Sequence, residues 1–339
     1  MVSPSDPDSV RPPAGPKRKR FGHSAAVPVG RARAFRERLV WLLLLAVVSL
    51  AGCQSGPRPV AAPQSPAGDE IIVAGQRFAI GTRVVPWLAA GGYDAYNRKI
   101  PNHGRRALDG RPAGERDPSL ADLKRNIDQF VLHYDGAGLS RTCFQILQQR
   151  GLSAHFLLDV DGTIYQTLDL KERAWHAGAA NDRSIGIEIA NIGAYPLNDA
   201  KLLNAWYRRE ATGQTRLVPP ALVGGTGIRT PDFRGRPQRP DPVKGRIHGR
   251  ELLQYDFTPE QYAALIKLTA ALHRVFPRIK LDYPRDANGR LIEEKLPDAA
   301  LAKFQGVLAH YHLQTNKVDP GPAFQWDPVI NGAKRELKR

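Results

Sequence analysis

The segment Ser184-Ile-Gly-Ile-Glu-Ile-Ala-Asn191 sets the strongest limit on how this chain folds. Ile185, Ile187 and Ile189 recur with a period of two, the period of a strand. They give one apolar face that must be covered, while Gly186 and Glu188 project the other way. A carboxylate leaving a buried strand is costly unless it faces a polar site. The segment therefore predicts a sheet packed as core on one side and opening, at Glu188, onto polar chemistry.

Neighbouring segments supply the rest of such a sheet. Ile127-Asp-Gln-Phe-Val-Leu-His133 predicts a strand ending on a histidine, with Tyr134 to Gly138 as a loop. Ser140 is expected to cap a helix running to Gln149 and stopped by Gly151; Cys143, Ile146 and Leu147 form its buried stripe, so Cys143 reads as core. The runs Ser153 to Asp159 and Ile164 to Leu168 flank Asp161-Gly162 and predict a hairpin. Residues 69–119 are expected as a lead-in: two short strands around Gly75, then an irregular wrap rich in Gly, Pro and Arg over 81–117. Thr258-Pro-Glu-Gln261 carries a capping box with proline in the first turn, and the apolar face from Tyr262 to Leu272 continues the helix to about Val275. Two stretches interrupt the pattern. Residues 196–254, rich in Pro, Gly and Arg, read as a long insertion without the apolar density for its own core, and 284–297 reads as a second, polar one. The domain so outlined runs from 120 to 335.

The amino-terminal part has a different character. Residues 39–51 form an apolar run of thirteen, too short to span a bilayer as a helix but long enough for a signal-peptide core. Arg31, Arg33, Arg36 and Arg38 precede it, and Leu50-Ala-Gly-Cys53 follows, resembling the bacterial lipobox, whose cysteine is acylated. Residues 1–52 are thus expected to be a signal peptide with an extended basic start, and 53–68 a lipidated Cys53 with a Pro/Ser/Gly-rich linker. The resemblance implies a lipid anchor in the cell envelope, on the periplasmic side. Gln54, in place of aspartate, favours the outer membrane. With Cys53 committed, Cys143 has no partner for a disulfide. The formal net charge of +16 suits polyanionic partners such as wall polymers, but no nucleic-acid-binding motif accompanies it, and no nucleic acid is expected as a partner.

Near the carboxyl end, His310-Tyr-His-Leu-Gln-Thr-Asn-Lys-Val-Asp319 brings two imidazoles, a lysine and a carboxylate together before Pro320-Gly-Pro322. That ending cannot continue a helix or a central strand, so Asp319 is expected on a loop. One of these histidines, Asp319 and a histidine from elsewhere would make a three-ligand Zn²⁺ site with a fourth position open. His310 and His312 are both eligible.

Six motifs, in order, then resemble a known family: Phe130-Val-Leu-His133, Ser153-Ala-His-Phe156, Asp161-Gly-Thr-Ile-Tyr165, Trp175-His-Ala-Gly178, Asn181-Asp-Arg-Ser-Ile-Gly-Ile-Glu188 and Lys317-Val-Asp-Pro-Gly-Pro322. Together they are similar to the zinc-dependent N-acetylmuramoyl-L-alanine amidases of the type 2 family, relatives of the animal peptidoglycan recognition proteins, over roughly 120–330. The resemblance implies an α/β fold, a central mixed β-sheet flanked by helices, in a single catalytic domain with long loop insertions. It implies Zn²⁺ held by His133, His310 and Asp319, with His312 as the alternative to His310. In family members the step from histidine to aspartate is usually ten; here it is nine from His310 and seven from His312. It further implies Glu188 as general acid/base, Lys317 as oxyanion stabiliser, Trp175 and His176 in the substrate groove, and Asn181 contacting the muramoyl or peptide part. His155 reads as structural, lining the sheet. The expected reaction is hydrolysis of the amide between N-acetylmuramic acid and L-alanine, in peptidoglycan or muropeptides. The rival readings are a non-catalytic peptidoglycan-binding lipoprotein on the same fold, and an anchored structural protein whose basic insertion meets anionic wall polymer.

Overall fold

The computed structural model describes residues 68–96, 103–108, 117–221 and 225–339. The expected signal segment, Cys53 and the linker to 67 lie outside the described residues. Among the described residues no helix is long and apolar enough to cross a membrane.

In chain order the elements are β1 (Gly68–Val73) and β2 (Gln76–Pro86), joined at Ala74 and Gly75, then β3 (His103–Arg105), α1 (Leu120–Asn126), β4 (Gln129–Tyr134) and α2 (Ser140–Gln149). There follow β5 (Phe156–Leu158), β6 (Ile164–Gln166), β7 (Glu172–Ala174) and β8 (Ser184–Ile189). The stretch expected as an insertion holds β9 (Tyr195–Pro196), α3 (Lys201–Trp206), β10 (Tyr207–Arg209), β11 (Thr215–Leu217), β12 (Val243–Ile247) and β13 (Arg250–Gln254). The chain closes with α4 (Pro259–Val275), α5 (Asp298–Lys303), β14 (Gly306–Ala309) and α6 (Trp326–Glu336).

Seven strands form the central mixed sheet in the order β1-β2-β6-β5-β8-β4-β14. The four strands β5, β8, β4 and β14 pair in parallel, and β6 turns back antiparallel to β5 through the expected hairpin. The isoleucine face of β8 is buried as its period required, together with Phe130, Leu132, Phe156 and Leu158 from the flanking strands, under Leu265, Leu268 and Leu272 of α4 and Val329 and Ile330 of α6. Each of these side chains, fully buried, contributes about 1.5–3 kcal/mol before chain ordering is counted. On the opposite face, Val85, Leu157 and Tyr165 pack with Cys143 and Leu147 of α2. Helix α2 covers only part of that face, and the cavity of the functional site opens beside it.

Local signals account for several elements. Thr258 accepts from Gln261 N while Gln261 Oε1 accepts from Thr258 N, the reciprocal cap expected at the start of α4. Helix α2 departs from expectation at its start: Ser140 is its first helical residue, its hydroxyl caps nothing, and its amide donates at 3.4 Å to Asp159 at the end of β5. The lead-in is also more ordered than its composition suggests, since Val84, Val85 and Pro86 pair in parallel with β6 and β3 pairs with β7. Pairing to an existing sheet edge orders backbone that has no periodicity of its own.

The 196–254 stretch is no autonomous domain. Its Leu203, Trp206 and Tyr207 share one apolar cluster with Leu139, Val160, Ala190 and Ile192 of the body. Two small sheets, β10-β11 and β12-β13-β9, complete it. The 284–297 stretch carries no helix or strand, only an isolated bridge between Arg285 and Leu291.

Candidate metal centre and active site

The register of three adjacent parallel strands brings the chemistry together. His133 on β4 is the direct partner of Glu188 on β8, and Ala309 on β14 is the partner of Leu132, so His310 emerges one step beyond, beside His133. All three stand at the carboxyl ends of their strands, where open α/β sheets bind ligands. Asp319 arrives from the Pro-Gly-Pro loop that follows.

His133 Nδ1 lies 3.0 Å from His310 Nδ1 and 2.8 Å from Asp319 Oδ2, and His310 Nδ1 lies 3.0 Å from the same carboxylate oxygen. All three residues are buried, and their donor atoms fall within 4.8 Å of one another, the one such cluster among the described residues. Burial, and then the neighbouring His310, draws His133 down to about 4, so its imidazole is neutral at neutral pH and keeps a lone pair to donate. Burial alone would raise Asp319, but hydrogen bonds from His133 and His310 overcome it and hold the carboxyl well below the usual range. Two imidazoles and one ionised carboxylate on a single point are a donor set that fits Zn²⁺ with a position left open.

A second layer fixes the ring of His133. Its Nε2 lies 3.0 Å from His176 Nδ1, and His176 Nε2 lies 3.3 Å from Ser184 Oγ. With a metal on Nδ1 of His133, the ring's proton would sit on Nε2, aimed at His176 Nδ1, and the proton of His176 would be aimed at Ser184. Gly186 makes room for this relay: a Cβ there would overlap the His176 ring. Behind it His155, fully buried, accepts from Gly186 N at 3.1 Å and reaches Glu172 O at 3.0 Å. The structural reading of His155 matches this position.

A cavity of about 280 Å³ opens over the cluster. Glu188, Lys317, Trp175, Tyr134, Asp135 and Arg150 line it, with Ile146, Leu147 and Leu152 as an apolar wall. Burial pushes the Glu188 carboxyl well above its ordinary value, the charges of Asp319 and Asp135 push further, and Lys317 and Arg150 pull it back. Lys317, placed by the turn whose amide donates to Gln314 O at 3.2 Å, makes no side-chain hydrogen bond or ion pair among the described residues.

Of the two histidines left open by the sequence, the structure gives His312 another use. It is fully buried, its Nδ1 accepts from Ala309 N at 2.9 Å, and its Nε2 donates to Ile292 O at 2.7 Å. With both nitrogens bound to backbone it has no lone pair for a metal. The nine-residue step from His310 to Asp319 is therefore the one this loop uses.

Asn181 also departs from expectation. It does not line the cavity; it is buried, and its Oδ1 accepts from His176 N at 3.2 Å and Ala177 N at 2.7 Å. Its work is to shape the loop that carries Trp175 and His176. His176 borders the cavity, but both its ring nitrogens are taken by the relay.

Sequence reasoning missed Arg106, from the lead-in. Its guanidinium is fully buried, donates to Asn181 O (2.9 Å), Asp182 O (3.1 Å) and Ser184 O (3.0 Å), and lies 2.8 Å from His155 Nε2. It thus ties the Trp175-His176 loop to the start of β8. Burial draws it down to about 9, still charged at neutral pH. Arg150 and Asp135 were likewise missed as cavity residues. An arginine just before a helix-stopping glycine, or an aspartate in a Gly-rich turn, carries no local signal of where it points.

Residues 123–224 match the family model described as N-acetylmuramoyl-L-alanine amidase. Over 66 residues the chain is 36% identical to the 1,6-anhydro-N-acetylmuramyl-L-alanine amidase AmpD of Haemophilus influenzae, covering 17% of this chain and 36% of that protein. The match therefore spans about a third of the relative's length. Among solved structures the chain is similar to the N-acetylmuramyl-L-alanine amidase AmiD of E. coli in complex with an anhydro-muramyl tripeptide substrate (21% identity, 66% of this chain and 60% of that one, TM-score 0.32). It is also similar to an endolysin amidase, LysCS, of Clostridium intestinale (16% identity, 64% and 86%, TM-score 0.32).

Proposed function

Since this chain belongs to the type 2 N-acetylmuramoyl-L-alanine amidase family, we propose that it is a zinc-dependent amidase cleaving the bond between N-acetylmuramic acid and the L-alanine of the stem peptide. The observation that carries the reading is the convergence of His133, His310 and Asp319 beneath a cavity in which Glu188 is the register partner of His133. His133, His310 and Asp319 would hold Zn²⁺, which when bound supplies Lewis-acid chemistry that polarises the amide carbonyl and acidifies water.

The remaining work falls to the chain's own side chains. Glu188, raised by burial and moderated by Lys317 and Arg150, is poised to take a proton from water and return it to the departing amine. Added positive charge in the His133, His310 and Asp319 cluster would lower it further toward the working pH. Lys317, with no side-chain partner among the described residues, is available to the oxygen on which negative charge develops. Trp175 and the apolar wall of α2 offer flat surface to the sugar and peptide. Asn181 and Arg106 hold the Trp175-His176 loop in place, and His176 orients His133.

The substrate is a muropeptide or peptidoglycan, and Cys53 is proposed to carry a lipid that tethers the enzyme in the envelope. The test is incubation of the purified protein with a defined muropeptide and mass spectrometry of the products. Release of the intact stem peptide, lost on complete zinc removal and restored by Zn²⁺, is the expected result. Undiminished cleavage after zinc removal would overturn the mechanism, and bound wall fragments without cleavage would return the reading to a binding protein.

A further inference from the structure

The Asp319 loop has a peculiarity that its composition creates. Pro320 and Pro322 have no backbone N–H, so the stretch between Asp319 and Ala323 has few donors with which to anchor itself. Yet Asp319 must present one carboxylate oxygen to two imidazoles at about hydrogen-bond distance. Something outside the loop has to hold it.

That hold comes from the 196–254 insertion. Gln254, the last residue of β13, is fully buried directly against the loop. Its Nε2 donates to Pro320 O at 3.0 Å and to Asn191 Oδ1 at 3.3 Å, and its Oε1 accepts from Ala323 N at 2.9 Å. Both amide protons and one oxygen lone pair are used, so the side chain is fixed in a single orientation. Gly321, at φ 85°, lies flat on this amide, and a Cβ there would overlap Gln254. Asn191, the other partner, sits two residues beyond the end of β8, the strand of Glu188; its Nδ2 donates to Tyr255 O and its own amide donates to Asp135. One side chain thus ties the segment following the general acid/base to the segment following the carboxylate ligand. Tyr311 N also donates to Asp319 O, at 3.3 Å, on the near side of the prolines, while Arg239 and Tyr262 reach the loop at Ala323 O, beyond them.

We propose that Gln254 is a positioning residue of the metal centre: the insertion's last strand clamps the Pro-Gly-Pro loop and so sets the place of Asp319 relative to His133, His310 and Glu188. The insertion is then a working part of the site. Outer-shell contacts of this kind, when removed, typically weaken metal affinity about 10–100-fold.

The inference rests on the zinc reading, and the experiment separates the two. Zn²⁺ affinity is measured by chelator competition for the wild type, Gln254→Ala, Gln254→Glu and Gln166→Ala, with thermal melts of the zinc-free proteins and visible spectra of the Co²⁺-substituted ones. Gln166 is a matched control: equally buried, it clasps Ile72 N, Ile72 O and Leu168 O, all on residues outside the site. Gln254→Ala should bind Zn²⁺ about 10–100-fold more weakly and alter the Co²⁺ band. Gln254→Glu, which keeps the acceptor for Ala323 N but sets an oxygen against Pro320 O and Asn191 Oδ1, should weaken binding at least as far. Gln166→Ala should lose stability with affinity unchanged. If Gln254→Ala does not fold, Gln254→Glu carries the test, and wild-type affinity in either folded variant overturns the proposal. A wild type that binds no zinc overturns the metal reading instead.

Discussion

His312 and His310 lie two residues apart with opposite assignments, and truncating each to alanine separates them. His312 Nδ1 and Nε2 satisfy the Ala309 amide and the Ile292 carbonyl in the interior. His312→Ala leaves both groups without a partner at about 1–3 kcal/mol each, so about 2–6 kcal/mol in all before the void left by the ring is counted. That is a large part of the 5–15 kcal/mol that typically holds a domain together. His312→Asn, whose side-chain oxygen can still accept from Ala309 N, should lose roughly half as much. His310→Ala should behave in the reverse way. Among the described residues its Nε2 has no partner and its Nδ1 faces only the cluster, so the zinc-free protein should lose little stability while Zn²⁺ binding collapses. The assay is urea denaturation of the zinc-free proteins beside Zn²⁺ titration of the folded ones. A His312→Ala protein that keeps its stability but loses zinc, with His310→Ala retaining zinc, would refute the assignment and the reasoning from hydrogen-bond saturation behind it.

Further expectations can be checked singly. Glu188→Gln should bind Zn²⁺ as the wild type does and lower turnover by about 10²–10⁴-fold, read as kcat on a muropeptide, because only the proton-transfer group is lost. Arg106→Ala should lower stability by about 3 kcal/mol or more in urea, since the buried carbonyls of Asn181, Asp182 and Ser184 lose a charged donor together. Burial raises Asp159 to about 7, above its unfolded value, so the folded state holds the extra proton and stability falls as pH rises from about 4 to 7. In Asp159→Asn that decline should flatten, measured as melting temperature against pH, and an unchanged slope would rule out Asp159 as its source. Cys53→Ala should abolish incorporation of labelled palmitate and move the protein out of the membrane fraction.

Much of the site could be located from the chain alone, for a physical reason. A strand's period of two commits Glu188 to the face opposite Ile185, Ile187 and Ile189, and the Phe130-Val-Leu-His133 run brings a histidine to a strand end. Asp319 stands beside prolines that forbid regular structure. These are short-range consequences of covalent geometry and side-chain alternation, and they hold wherever the segments are placed. The cap at Thr258 and the turn at Asp161-Gly162 belong to the same class.

Tertiary structure decided what depends on partners distant in sequence. The choice between His310 and His312 turned on Ile292, twenty residues from His312, whose carbonyl removes it from contention. Asn181 was diverted from the substrate into its own loop, Arg106 came from a stretch without periodicity to lie behind the site, and Gln254 entered from an insertion that composition marks as peripheral. Periodicity and capping fix which face a residue occupies within its own element. Whether a polar side chain there serves a ligand or the backbone depends on which unsatisfied donors and acceptors the folded chain brings within about 3 Å of it.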